Sequence, residues 1–383
     1  MSPSLRLDSP LLLERLRRAR EDRGFSQEQV GAHLDLARTT VVAIEAGERV
    51  LRPEELLGLS DLYDEPLDVL LREAPVPRQL AAQFRTAVGQ APEQDQLRLA
   101  ITDLQRLSED YVELERITDS RLSVRYPPPH PVQGNGERLA EQLAGEERRR
   151  LGLGDGPLPH MREVLENDVG LRVFAIKLPS KVGGLFGFDD ELGACVAMNA
   201  SQPWERQCWS LAHEYAHFLT RRAKAEVTIV LSEYRRVPAA ERFADSFARH
   251  FLLPAAGLKR RWEAAAEGAG GATAGLLLQQ ADFWSVSFQA FVARLEGLRL
   301  VRPGTYQSLV GRGFAVEEGR ALLELQPRGV DDRLLPRRYR LLALSAFAEG
   351  LISEERLMRF LREDRLAARA LAASMHETGA MDA

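Results

Sequence analysis

An HExxH string, His213-Glu214-Tyr215-Ala216-His217, lies inside the stretch Trp204–Arg221 and constrains this chain more than any other feature. Two histidines four residues apart stand one turn above each other on a helix, so both rings can reach one metal ion. Glu214 is rotated by about 100° from its neighbour and can sit beside a water at such a site. The string therefore demands a helix here and a third ligand elsewhere. Cys208, Leu211, Ala212, Tyr215 and Phe218 recur at helical spacing and satisfy the first demand.

The second demand is met in Pro238–Pro254, PAAERFADSFARHFLLP, a helix bracketed by prolines. Phe243, Phe247 and Phe251 repeat every four residues, and Ala244 and Ala248 leave room for another helix to approach. Glu241 and Asp245 are one turn apart and share a face. A glutamate there can ligate the metal, and Asp245 can take the free N–H of a ligating histidine, setting its tautomer. His250 is half a circle from Glu241 and reads as a packed or surface histidine.

With 383 residues the chain is long enough for two or three domains. It has no apolar run of membrane-spanning length and no signal-peptide pattern, which predicts a cytoplasmic protein without membrane contact. Cys195 and Cys208 show no CxxC spacing and read as reduced thiols. A net charge of −5 argues against coating nucleic acid by bulk charge.

Residues 10–72 read as five short helices. Ser26 and Gln29 form a capping box at the start of Gln27–Leu34, an Asp35-Leu36 turn follows, and Arg38–Glu45 ends at Gly47. Two short helices joined by a tight turn in a helical set are the helix-turn-helix arrangement. The run from Gly24 to Leu71 resembles the XRE (Cro/repressor-like, lambda-repressor-like) family, through Ser26-Gln27, Val41–Glu45 with Gly47, and the leucine-rich fourth helix. That resemblance implies a double-stranded DNA operator as partner. Gln27 is expected at a phosphate, Arg38, Thr39 and Thr40 at base edges, and Arg49 and Arg52 near the DNA backbone. Gly31 replaces the alanine usual late in the second helix, and Asp35 stands where glycine is common. Residues 1–73 hold more acidic than basic side chains, so nonspecific affinity should be modest and salt-sensitive.

Residues 74–135 read as a helical, proline-rich connector punctuated by Pro75, Pro77 and Pro92, with Tyr126–Pro131 extended. Leu97, Ala100, Leu104, Leu107, Tyr111 and Leu114 form a helix stripe that packs either against a second copy, making a homodimer, or back on its own chain. From Gly136 the pattern turns to mixed α/β. Helices are expected at Glu137–Leu151 and His160–Asp168, a strand at Leu171–Leu178, and a hairpin of Leu185–Phe188 with Ala194–Met198. Glu263–Gly275 reads as a frayed end and loop, Ala281–Leu300 as two helices packed on the preceding domain, and 331–374 as helical.

Taken together, LGLGDGPLP, GLFGFDDELGACVAMN, PWERQCWSLAHEYAHFL and ERFADSFARHFLLP resemble the ImmA/IrrE metallopeptidases over roughly residues 137–260. The resemblance implies a gluzincin-like site with His213, His217 and Glu241 as zinc ligands (manganese as the alternative), Glu214 as catalytic base, and Asp245 in the motif's Asn/Asp position. It also implies a protein substrate, an XRE-type repressor or this chain itself, cut during a stress or signal response. The expected architecture is α+β and mostly helical. A helix-turn-helix domain at 1–73 and the connector at 74–135 precede a peptidase domain with a small β-sheet at 136–275 and a helical region at 276–383. Two competing functions stay open: a DNA-binding sensor whose metal site does not turn over, and an antitoxin-like repressor.

Overall fold

Short helices with strong stop signals build the first of two units into which the chain divides, residues 1–78 and 79–383. The computed structural model describes residues 7–63, 65, 67–71, 84, 94–132, 136–222, 226–229, 238–269, 271–326, 329 and 331–379. In the first unit, α1 (Pro10–Asp22), α2 (Gln27–Leu34), α3 (Arg38–Glu45), α4 (Pro53–Tyr63) and α5 (Leu67–Leu70) surround a core centred on Leu16, Val30, Ile44, Leu59 and Tyr63. The capping box is formed: the Gln29 N–H donates to Ser26 Oγ at 3.2 Å, and the Ser26 N–H donates to Gln29 Oε1 at 2.8 Å.

The two departures from the family pattern in this unit explain each other. Asp35 takes the left-handed conformation (φ 55°), which Asp tolerates better than most residues. That turn folds Leu36 back so that its N–H donates to the Gly31 carbonyl at 2.8 Å. A Cβ on Gly31 would then lie 2.6 Å from the Leu36 carbonyl oxygen, so the tight turn requires glycine.

The second unit is organised around a four-stranded sheet of β1 (Arg172–Ile176), β2 (Val182–Asp189), β3 (Gly193–Asn199) and β4 (Glu226–Ile229), in the order β1-β3-β2-β4. The expected hairpin is β2–β3, with Asp189 opposite Gly193. The short strand β4 was not anticipated, nor was the parallel pairing of β1 with β3. Both faces are covered. Val173, Ala175, Phe186, Val196 and Met198 point to one core, which holds α6 (Gly136–Arg150) and the two proline-started helices α8 (Trp204–Arg221) and α9 (Ala239–Leu252). Phe174, Ile176, Leu185, Cys195 and Ala197 point to a second core. Between α6 and β1 runs α7, a short turn at Met161–Glu163 continued as a π-helix over Val164–Val169.

The second core joins two distant parts of the sequence. The connector helix, Gln94–Ile117 (designated αC), packs its stripe against α14 (Arg337–Ala348), α15 (Glu354–Leu361) and α16 (Arg365–Gly379). Every stripe residue from Leu97 to Leu114 is buried within the chain. The stripe therefore folds back, and it is not available as a homodimer seam. Charge pairs flank this packing: Arg338 with Glu115 and Arg359 with Asp110, each at 2.8 Å, and Arg362 with Asp103 at 3.2 Å. Tyr126–Pro131 is extended as expected and strapped down. The Arg125 N–H donates to the Val169 carbonyl, the His130 N–H to that of Leu219, and Arg222 to that of Pro127. Pro75, Pro77 and Pro92 lie outside the described residues.

The remaining helices extend the first core. Helix α10 (Ala255–Gly268) runs well into the stretch expected to be frayed, because Leu258 and Trp262 bury one face of it. Thr273 and Ser287 cap α11 (Ala274–Phe283) and α12 (Phe288–Gly297), and Phe291, Val292 and Leu295 pack inward as expected. Two short helices, α13 (Thr305–Gly311) and its neighbour Val316–Leu322, follow. Among the described residues no helix is long and apolar enough to cross a membrane.

A buried clasp holds the return of the chain to the sheet. Arg162 pairs with Glu166 at 2.8 Å and Asp331 at 3.2 Å, while the Gln207 amide bonds both the N–H and the carbonyl of Asp331 at 3.1 Å. Burial raises the Glu166 carboxyl to about 7 despite the Arg162 charge. The folded value lies above the unfolded one, so the folded state holds the extra proton. Stability is then lost as pH rises from the ordinary carboxylate range through about 7. Glu166→Gln is expected to flatten the fall in thermal midpoint between about pH 5 and 7.5. An unchanged slope would show that another group carries it.

Candidate metal centre and DNA-reading face

Helices α8 and α9 are held together by aromatic packing on the side away from the histidines. Tyr215 meets the edges of Phe247 and Phe251 at centroid distances of 5.9 and 5.8 Å. Its hydroxyl donates to the buried Glu147, and Arg150 bonds both groups. Ala244 and Ala248 are buried in the same core, where their small side chains let the helices approach. This packing sets the rotation of both helices and turns His213 and His217 toward Glu241.

The three side chains converge. His217 Nε2 lies 3.1 Å from His213 Nε2 and 3.4 Å from Glu241 Oε1, and His213 Nε2 lies 3.2 Å from Glu241 Oε2. Donors about 2.0–2.1 Å from one ion at a tetrahedral angle stand roughly 3.3–3.4 Å from each other. The two imidazole nitrogens face each other and one carboxylate oxygen apiece, close enough for the three residues to share a small divalent cation. His213, His217 and Glu241 are the only such cluster among the described residues.

Asp245 stands where the sequence placed it. Its Oδ1 is 2.9 Å from His213 Nδ1, a contact that keeps a proton on Nδ1 and leaves Nε2 as the nitrogen facing Glu241 and His217. Burial disfavours charge on both rings. At His213 hydrogen bonds to Asp245 and Glu241 and the charge of Glu214 outweigh that penalty and lift the group to about 10. At His217 burial and the adjacent His213 charge depress it to about 3. Burial would raise Glu241 and Asp245, but the bond from His213 holds both carboxyls below their ordinary range. Trp209 adds a hydrogen bond to Asp245. The sequence reading missed this residue, although its position four before His213 puts it on the same face. Glu214 is fully buried, and His250 is packed against Glu137 at 3.1 Å, away from the cluster.

In the first unit, α3 buries Val41 and Ile44 and exposes Arg38 and Thr39, with Thr40 turned partly inward. Val42, 39% exposed and one turn after Arg38, shares that outward face and was also missed. Gln27 is tied into the unit: its amide donates to Glu45 at 2.9 Å, the carboxylate that Arg20 also holds at 2.6 Å. Arg49 is paired within the unit. Its guanidinium clamps both Glu55 oxygens at 2.7 and 2.9 Å, so it reaches a phosphate only by giving up that pair. Arg52 remains exposed.

The first unit is thus a helix-turn-helix arrangement, and the second carries an HExxH helix with a glutamate-bearing partner helix. Residues 11–74 match the family model described as a helix-turn-helix domain, and residues 166–296 match that of the IrrE N-terminal-like domain, a peptidase family. The second match continues through α12, beyond the expected boundary at 275. No curated protein and no solved structure matches the chain.

Proposed function

We propose that this chain is a transcriptional regulator that binds an operator through α3 and carries a zinc-dependent endopeptidase in its second unit. In this reading the enzyme cuts a repressor protein, this one or a partner, in a stress or signal response. The observation that supports it most is the convergence of two imidazole Nε2 atoms and one carboxylate within 3.1–3.4 Å of one another, with Glu214 adjoining His213. A zinc ion, or manganese, held by His213, His217 and Glu241 would polarise a peptide carbonyl and acidify a water. Glu214 takes the proton from the attacking water and delivers it to the leaving nitrogen. Asp245 keeps the proton on His213 Nδ1 throughout.

Packing narrows where a self-cut could fall. Helix αC and the strap at Tyr126–Pro131 are held by burial and hydrogen bonds, and a peptidase cleft takes extended chain. A self-cut separating the DNA reader would fall in the connector, around 74–135, outside these two held segments. A second copy, if recruited, must bind through a surface other than the stripe of αC.

The test compares the N-termini of cellular proteins in cells carrying wild type and Glu214→Gln. New N-termini confined to wild type are expected; none under any inducing condition would end the peptidase reading. Burial favours one second reading. Glu214 is fully buried and both histidines nearly so, while the Glu241 side chain is only 20% exposed, an arrangement suited to a metal-holding sensor without turnover. Retained regulation by Glu214→Gln would favour that sensor.

A further inference from the structure

Strand β2 meets α8 at a point where any side chain would press on Glu214. A Cβ on Gly184 would lie 2.6 Å from Glu214 Oε1, 3.1 Å from Glu214 Cγ and 3.2 Å from the Ala197 carbonyl oxygen. The carboxylate end would have to swing aside, and Glu214 Cγ and the Ala197 carbonyl would each have to give by a few tenths of an ångström. Strand β2 is paired with β3 on one edge and β4 on the other, and Glu214 sits on a buried turn of a helix packed on both of its flanks. Gly184 has no left-handed backbone, so its lack of a side chain serves close approach and not chain flexibility. The pairing is irregular at the same place. Val182 faces Ile229 and Gly184 faces Thr228, which leaves Gly183 as an extra residue in β2. Such a bulge bends a strand locally and re-aims what stands next to it.

We infer that Gly184 is a positioning residue for Glu214: its bare Cα, on a strand bent at Gly183, forms the notch that sets where the carboxylate stands beside the histidine pair. The purpose of the notch rests on the peptidase reading, whereas its geometry does not. A methyl group at residue 184 pushes the carboxylate along or off the strand. The ligands are spared, because all three project from α8 and α9 and none touches Gly184.

The test places Gly184→Ala in full-length wild type, in Glu214→Gln and in Glu214→Ala. Zinc content, thermal midpoint and new cellular N-termini are then measured. Glutamine keeps the atoms that a Cβ would meet, and alanine removes them. Gly184→Ala should lower the midpoint by several degrees in wild type and Glu214→Gln, and by much less in Glu214→Ala. One equivalent of zinc should remain, and cutting should fall by about a hundredfold, the scale of a 1 Å misplacement. Equal midpoint losses in all three backgrounds, failure to fold in all three, loss of zinc, or undiminished cutting would each overturn the inference. If wild type itself does not cut, the peptidase reading fails alone, and the midpoint comparison still decides the role of Gly184.

Discussion

Protein purified with His217→Ala should not hold an equivalent of zinc after dialysis, whereas Asp245→Asn should hold it about 10–100-fold more weakly than wild type. The two outcomes differ because the residues touch different atoms. His217 contributes an Nε2 that lies 3.1 Å from His213 Nε2 and 3.4 Å from Glu241 Oε1. Without it, two donors remain, and no other described cluster can replace the third. Asp245 touches the cluster only through Nδ1 of His213, so its loss frees the ring's tautomer and orientation while all three donors stay. His217 is also buried, and the alanine variant opens a cavity. His217→Gln, which fills more of that space, separates lost ligation from lost packing. Zinc analysis with a competing chelator is the measurement. Stoichiometric zinc in both His217 variants would remove this cluster as the metal site.

Removing residues 331–383 should prevent cooperative folding of the second unit. The sheet is buried on both faces, and α14, α15 and α16 supply much of the cover for Phe174, Ile176, Leu185 and Ala197 and for the stripe of αC. Truncation would expose that surface to water and release the clasp of Arg162 and Gln207 on Asp331. A graded version is Phe360→Ala, a fully buried ring whose loss should cost about 3–5 kcal/mol in denaturant unfolding. If the truncated chain unfolds at the wild-type midpoint with its zinc in place, the C-terminal helices are an accessory and not part of the fold.

The metal helices were legible in sequence because every signal for them is local. Two histidines, and a glutamate with an aspartate, were spaced one turn apart on amphipathic segments that begin after a proline. The helix-turn-helix was legible for the same reason, through the capping reciprocity of Ser26 and Gln29 and the buried period of Val41 and Ile44. Strand β4 was not, since four residues carry too little pattern to separate from a loop. The sheet was only partly legible, because strands covered on both sides lose the polar alternation that marks one solvated face. Gly184 gave no signal, since a glycine looks the same in sequence whether it serves a turn or a close approach. The pairing of Arg49 with Glu55 was not legible either, because it depends on distance in the folded unit.

What the sequence by itself determined is the local chemistry: which helices form, which side chains share a face, and which donors a metal would meet. Tertiary structure alone decided what lies opposite each face. It brought Glu241 to the histidines through the packing of Tyr215 on Phe247 and Phe251 and set Gly184 against Glu214. It also turned the stripe of αC onto helices more than two hundred residues away. The physical reason is the range of the interactions. Hydrogen bonding and periodicity act within a turn or two and are written in neighbouring residues. The partner of a buried face is chosen by the packing of the whole chain.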